Sequence, residues 1–300
     1  MKPARQGVLL RPGPDAPHRS WSSVLSRHPL SAMLLWFFTV GQAVAFLPVV
    51  VHPGGQQLPT QPFVIASTLV GLLLPCLVIT RVTQGPEGLR KLWLRVTAAP
   101  PRLWWFLFAL GLVPLVALMV AAAFFGAPAP SHGLGALVWV FLLPTTFGLL
   151  TYNLWEEVAW TGFVQTRLQA RHGALRAAVL TGPLFALQHA PLVVGSSLTG
   201  TLAVLAALTV LAVPFRAVMG WLDNTSGSLL AVGLVHASGN AVADGGGVGT
   251  GLLEYLYPDR TIGPLHLFAF AIIGVALIAA TRARLGHRPP ITEPTRNGRN

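Results

Sequence analysis

Eight stretches of the chain, residues 29–51, 62–80, 103–125, 134–166, 177–195, 198–215, 226–243 and 262–281, are apolar over about the length a helix needs to cross a bilayer. The requirement is roughly 30 Å of hydrocarbon at about 1.5 Å per residue. Inside hydrocarbon every backbone N–H and C=O must be satisfied within its own segment, which leaves helices as the building material. The expected fold class is therefore all-α: a polytopic membrane protein of about eight transmembrane helices, with any site inside the helix bundle. A content of 53% hydrophobic and 10% charged residues fits that class and no ordinary soluble domain.

An even number of spans puts both termini on one side, and the basic residues say which. Lys2, Arg5, Arg11, Arg19 and Arg27 precede the first span, and Arg81, Arg90, Lys91, Arg95 and Arg102 fall between the second and third. Arg167, Arg171 and Arg176 follow the fourth, Arg216 follows the sixth, and Arg282, Arg284, Arg288, Arg296 and Arg299 form the tail. Only Arg260 lies opposite, and Lys and Arg concentrate in cytoplasmic segments. The expectation is a multi-pass protein of the cytoplasmic or inner membrane with both termini cytoplasmic. A net charge of +11 would suit a nucleic-acid partner if it were gathered on one domain. Here it is spread over alternate loops, so the expected partners are membrane lipids and not nucleic acid.

Residues 1–28, rich in Pro and Arg, read as a disordered cytoplasmic arm, 29–281 as the transmembrane domain, and 282–300 as a cytoplasmic tail. The first span reads as an anchor and not a cleaved signal peptide, because about 28 polar residues precede it. Within residues 81–102, Leu89, Leu92, Trp93 and Val96 repeat at helical spacing between basic residues, as in an amphipathic helix on the inner leaflet. The Gly-rich stretch 244–261 reads as a flexible connection. Cys76, the single cysteine, excludes an intrachain disulfide and a Cys-based zinc cluster.

Ionisable groups at bilayer depth are costly, so each marks a candidate site. Glu156 lies 11 residues before Arg167, or roughly 16 Å deep along a helix, and His189 lies 13 residues after Arg176, or roughly 20 Å deep. His236 and Asn240 fall near the middle of the seventh span and share a face, as do Phe185 and His189. Glu156 and Glu157 point about 100° apart, so one can face the site while the other needs a partner. Any one of these could be a packing residue. Two carboxylates, two imidazoles and a carboxamide at one level are expensive as structure alone, which favours a functional cluster.

Three short motifs carry a resemblance: "EEVAWT" (Glu156 to Thr161), "FALQH" (Phe185 to His189) and "HASGN" (His236 to Asn240). Their order and placement in spans four, five and seven resemble the CAAX prenyl protease and bacteriocin-processing (CPBP) family, also called Abi or type II CAAX endopeptidases. That family has Glu-Glu-x-x-x-Arg, Phe-x-x-x-His and His-x-x-x-Asn on eight membrane helices. The recognisable core runs from about 130 to 245. Thr161 stands where the family has Arg, so Glu157 loses its obvious counter-charge and must be protonated or paired elsewhere.

The resemblance implies an intramembrane endopeptidase acting near the C-terminus of a lipidated protein or on a small leader or bacteriocin peptide, which approaches from the cytoplasm or inner leaflet. Glu156 would be the general base, His189 would hold the water, and His236 and Asn240 would donate to the oxyanion. Glu157, Phe185 and Thr161 would support them. A zinc site formed by Glu157, His189 and His236 is the alternative, disfavoured by the absence of a His-Glu-x-x-His helix; no cofactor is the preferred reading. Serine chemistry lacks a Gly-x-Ser-x-Gly turn. A proton-coupled transporter built on the same buried groups, or a non-catalytic immunity or chaperone protein of the same fold, stand as competing functions.

Overall fold

The computed structural model describes residues 21–51, 58–99, 102, 104–129, 133–194 and 197–287, and no strand occurs among them. In chain order the helices are α1 (Trp21–Arg27), α2 (Pro29–Val50), α3 (Gln61–Thr97), α4 (Trp104–Phe125), α5 (Leu137–His172) and α6 (Ala174–Gln188). There follow α7 (Ala190–Val193), α8 (Leu198–Ser226), α9 (Leu229–Ala243), α10 (Leu252–Leu256) and α11 (Leu265–Ala280). Helices α2, α3, α4, α5 and α8 are long and apolar enough to cross a membrane, while α6, α9 and α11 are shorter apolar helices. The protein is an all-α polytopic membrane protein, and these eight apolar helices take up the eight apolar stretches in order.

The short helix α9 is the centre of the bundle. It packs against α3, α4, α5, α8, α10 and α11, and 12 of its 15 residues are buried. A helix enclosed on every side is apolar all round, which is why it carries so little amphipathic pattern. Its approach to α5 is set by Gly233, where a Cβ would come within 2.9 Å of the Leu154 Cα. Near-backbone contact of this kind requires a residue without a side chain. It places His236, one turn further on, against the Glu156–Glu157 pair.

Several boundaries differ from the sequence reading. The arm expected to be disordered over 1–28 is helical at α1, while residues 1–20 lie outside the described residues. The tail expected from 282 stays docked as far as the description reaches: Leu285 is fully buried, and its carbonyl accepts a hydrogen bond from Asn224 Nδ2 at 2.8 Å. Helix α3 runs through the expected amphipathic loop, with a kink where Gly85 adopts φ 69° ahead of Pro86. After the kink Leu92 and Val96 are buried, whereas Trp93, expected on the same face, is 57% exposed.

Cross-ties hold one end of the bundle shut. Arg95 on α3 reaches Asp223 on α8 at 2.6 Å, Gln169 on α5 donates to Asn224 on α8 at 2.7 Å, and Ser228 Oγ donates to the Ala98 carbonyl at 2.6 Å. At the other end, where α2 finishes, α3 begins, α9 finishes and α11 begins, the helices part around a cavity.

Candidate active site

The two glutamates lie on a six-residue α-helical stretch, Leu154–Ala159, between two π-helical segments of α5, Leu149–Asn153 and Trp160–Gln165. A third π segment, Ser67–Leu73, lies in α3. Such segments insert an extra residue into the turn and re-aim side chains, and they gather at functional sites. Here they let α3 and α5 present Thr68 and Glu156 to each other.

Glu156 is 3% exposed. Its Oε1 accepts hydrogen bonds from Thr68 Oγ1 at 3.1 Å and from Gln188 Nε2 at 2.9 Å. Gln188 is held in turn by Trp160, whose Nε1 donates to Gln188 Oε1, and its backbone carbonyl accepts from Gln42 of α2 at 3.2 Å. With Oε1 occupied by two donors, Oε2 is the oxygen left to act, and it lies 3.9 Å from His236 Nε2.

Glu157 points the other way, into the protein, and is fully buried. Both its oxygens lie 3.0 Å from Nη1 of Arg216 on α8, and Oε2 also accepts from the Thr161 hydroxyl. Arg216 completes its set with Nη2 donating to Thr161 Oγ1 and Gln165 Oε1, and Nε donating to Gln165 Oε1 at 2.9 Å. All of its N–H donors therefore find acceptors, which is what allows a guanidinium to be 0% exposed. Its carbon also lies 5.4 Å from the centre of the Phe185 ring.

This corrects the reading of Arg216 as a loop residue beyond the sixth span. It belongs to the interior of α8 and is the cation of the site. The counter-charge missing at Thr161 comes from another helix, and the short Thr161 side chain leaves room for it.

His236, 4% exposed, is the link between the two carboxylates. Its Nδ1 lies 3.0 Å from Glu157 Oε1. A carboxylate paired with Arg216 accepts, so Nδ1 carries the proton and Nε2 faces Glu156. His189 closes α6, leaving the helix at φ −84°, ψ 2°, and its Nδ1 lies 3.0 Å from the Phe185 carbonyl. A carbonyl can only accept, so the proton is on Nδ1 and the lone pair is on Nε2. Phe185 stacks on Phe215 with ring centres 4.9 Å apart and meets the edges of His189 at 5.0 Å and His236 at 5.8 Å, fixing both imidazoles. The Asn240 carboxamide is hydrogen-bonded to the Tyr152 hydroxyl.

Glu156, His189, His236, Asn240 and Phe185 all line one cavity of about 410 Å³, together with Thr68, Gln188 and Tyr152. Glu157 and Thr161 lie beneath it, outside its lining. The structure thus separates the residues singled out in the sequence into a set facing the cavity and a set supporting it. The residues not anticipated are Arg216, Gln165, Thr68 and Gln188. Only Arg216 left a trace in the sequence, as a charge inside a continuous apolar run.

Glu157, one member of the alternative zinc set, is already engaged by other side chains. Both oxygens of Glu157 are taken up by Arg216, Thr161 and His236. Among the described residues no group of three or more His, Cys, Asp or Glu side chains is placed to hold a metal ion.

Residues 138–242 match the family model described as Type II CAAX prenyl endopeptidase Rce1-like. The matched stretch covers about a third of the chain and contains all three motifs together with Arg216. The family resembled by the motifs is thus the family whose model the chain matches, and it is a family of peptidases. No curated protein matches the chain.

Proposed function

We propose that this chain is an intramembrane endopeptidase in which Glu156 activates a water molecule for attack on a peptide carbonyl. The observation that carries the reading is the gathering of Glu156, His189, His236 and Asn240, from three helices, around one cavity, with Glu156 Oε2 free of the donors that hold Oε1.

A water between Glu156 Oε2 and the lone pair of His189 Nε2 is held by two acceptors, one for each of its hydrogens. As its oxygen bonds to the peptide carbon, one proton passes to Glu156 and the carbonyl oxygen becomes an oxyanion. Asn240 Nδ2–H donates to that oxyanion, beside the His236 ring. Collapse breaks the C–N bond, and Glu156 returns the proton to the departing amine. Glu157 and Arg216 stay out of the bond changes: they fix the His236 ring through Nδ1. No step requires a metal.

The substrate is a peptide segment near the C-terminus of a lipidated protein, or a small leader or bacteriocin peptide. The basic residues at the cross-tied end orient both termini to the cytoplasm.

Glu156→Gln keeps the size of the side chain and removes the base. Purified in detergent, the variant loses cleavage of a reporter peptide by at least about 100-fold, and membranes from cells carrying it lack the C-terminal fragments that the wild-type protein generates. Identical fragment sets would point to a non-catalytic protein, and a proton-dependent flux in liposomes that Glu156→Gln abolishes would point to a transporter.

A further inference from the structure

Each group proposed to touch the substrate is aimed by a neighbour that takes no part in the bond changes. Thr68 and Gln188 hold Glu156, Glu157 holds Nδ1 of His236, and the Phe185 carbonyl holds Nδ1 of His189. Asn240 is the fourth such group, and its holder lies outside the three motifs: the hydroxyl of Tyr152.

Tyr152 belongs to the π-helical segment Leu149–Asn153, one turn before Glu156. Both residues line the cavity, and Tyr152 is 6% exposed. In a helix a long side chain leans back over the preceding turn. That turn holds Gly148, where a Cβ would meet the Tyr152 oxygen at 3.3 Å. The ring therefore lies along its own helix, in space that a larger residue at 148 would fill. At its tip the hydroxyl meets two carboxamides, Asn240 of α9 and Gln61, the first residue of α3. Gln61 is backed by the turn that follows α9: a Cβ on Gly247 would come within 2.4 Å of Gln61 Oε1. A hydroxyl has one hydrogen and two lone pairs, so it can serve both carboxamides at once.

We infer that Tyr152 is the positioning residue for the oxyanion donor: its hydroxyl fixes the rotation of the Asn240 carboxamide, so that an Nδ2–H is aimed into the cavity before the substrate arrives. The inference rests on the peptidase reading. A carboxamide has two N–H donors, and whichever of its ends meets the hydroxyl, the contact takes at most one of them. The other N–H is left for the carbonyl oxygen. Without the hydroxyl the terminal torsion of Asn240 is broad and two-fold, and the side chain can turn its oxygen, an acceptor, toward the developing negative charge. A fixed donor matters most in the transition state, because the charge on the carbonyl oxygen develops only there. Tyr152 therefore acts on turnover and not on substrate binding.

The test is Tyr152→Phe, which keeps the ring and removes the oxygen. The expected effect is a fall in kcat of roughly 10- to 50-fold, with KM and the unfolding temperature in detergent little changed, read from steady-state cleavage of the reporter peptide. Asn240→Ala is expected to lose roughly 100-fold or more. The double variant loses no more than Asn240→Ala alone, since the hydroxyl then has nothing to aim. Gln61→Leu, which keeps the hydroxyl and removes its outer tie, is expected to lose roughly 2- to 5-fold. Wild-type kcat in Tyr152→Phe, or a loss that multiplies with that of Asn240→Ala, overturns the inference and leaves the peptidase standing. A fall in kcat that only follows a lower unfolding temperature also overturns it and makes Tyr152 a packing residue. Absence of Glu156-dependent cleavage by the wild-type protein overturns the peptidase reading and takes the inference with it.

Discussion

Glu156 and Glu157 share a helix turn and face different surroundings, because successive residues point about 100° apart. Glu156 receives two neutral hydrogen bonds and keeps an oxygen for the cavity, whereas Glu157 receives a cation and keeps nothing. Gln188 matters because it aims the first of these. Gln188→Leu removes one of two donors on Oε1, and the expected outcome is a fall in kcat of roughly 10- to 100-fold with KM little changed, read from steady-state cleavage. Arg216 matters because Glu157 would otherwise be a bare buried charge. Arg216→Leu is expected to cost about 3–5 kcal/mol of stability, seen as early thermal unfolding in detergent. Returning the cation to the position where the family motif has it, in Thr161→Arg with Arg216→Leu, is expected to recover folding and part of the activity. Full stability of Arg216→Leu alone would show that Glu157 does not need the pair.

At the scale of the helices, the site depends on how closely α9 lies to α5 and on where the π segments turn α3 and α5. Gly233 is the contact that decides the first. Gly233→Ala puts a methyl 2.9 Å from a backbone atom of α5, and backbone cannot rotate away as a side chain would. The two helices have to separate, at an expected cost of about 1–3 kcal/mol. His236 moves off the carboxylates with them, so activity at a temperature where the variant is still folded falls more than that stability loss alone explains. The comparison to make is of cleavage rate and unfolding temperature in the same detergent. The π segments were invisible in the sequence because the mixed apolar and small polar residues of Ser67–Leu73 and Trp160–Gln165 are equally compatible with an ordinary α-helix. The hydrogen-bond shift that defines them is decided by what packs alongside.

Across the whole molecule, the cavity brings together groups from α3, α5, α6, α8, α9 and α11, and its chemistry follows from what those helices leave unpaired. Glu157 is already held by Arg216, Thr161 and His236, which supports the metal-free reading proposed above. Chelators such as EDTA and 1,10-phenanthroline are expected to leave cleavage by the purified protein unchanged. Loss of activity restored by added zinc would require Glu157 to abandon Arg216. The sequence by itself determined the class of fold, the order of the eight apolar helices and the level at which Glu156, His189, His236 and Asn240 meet. Hydrophobic length and the depth of a charge along a helix are properties of the chain alone. Only the tertiary structure decided that Arg216 replaces the missing cation at Thr161 and that Thr68 and Gln188 aim Glu156. Each of these depends on which faces of different helices come into contact, and a buried ion pair between α5 and α8 can be completed by any position whose side chain reaches the same point in space.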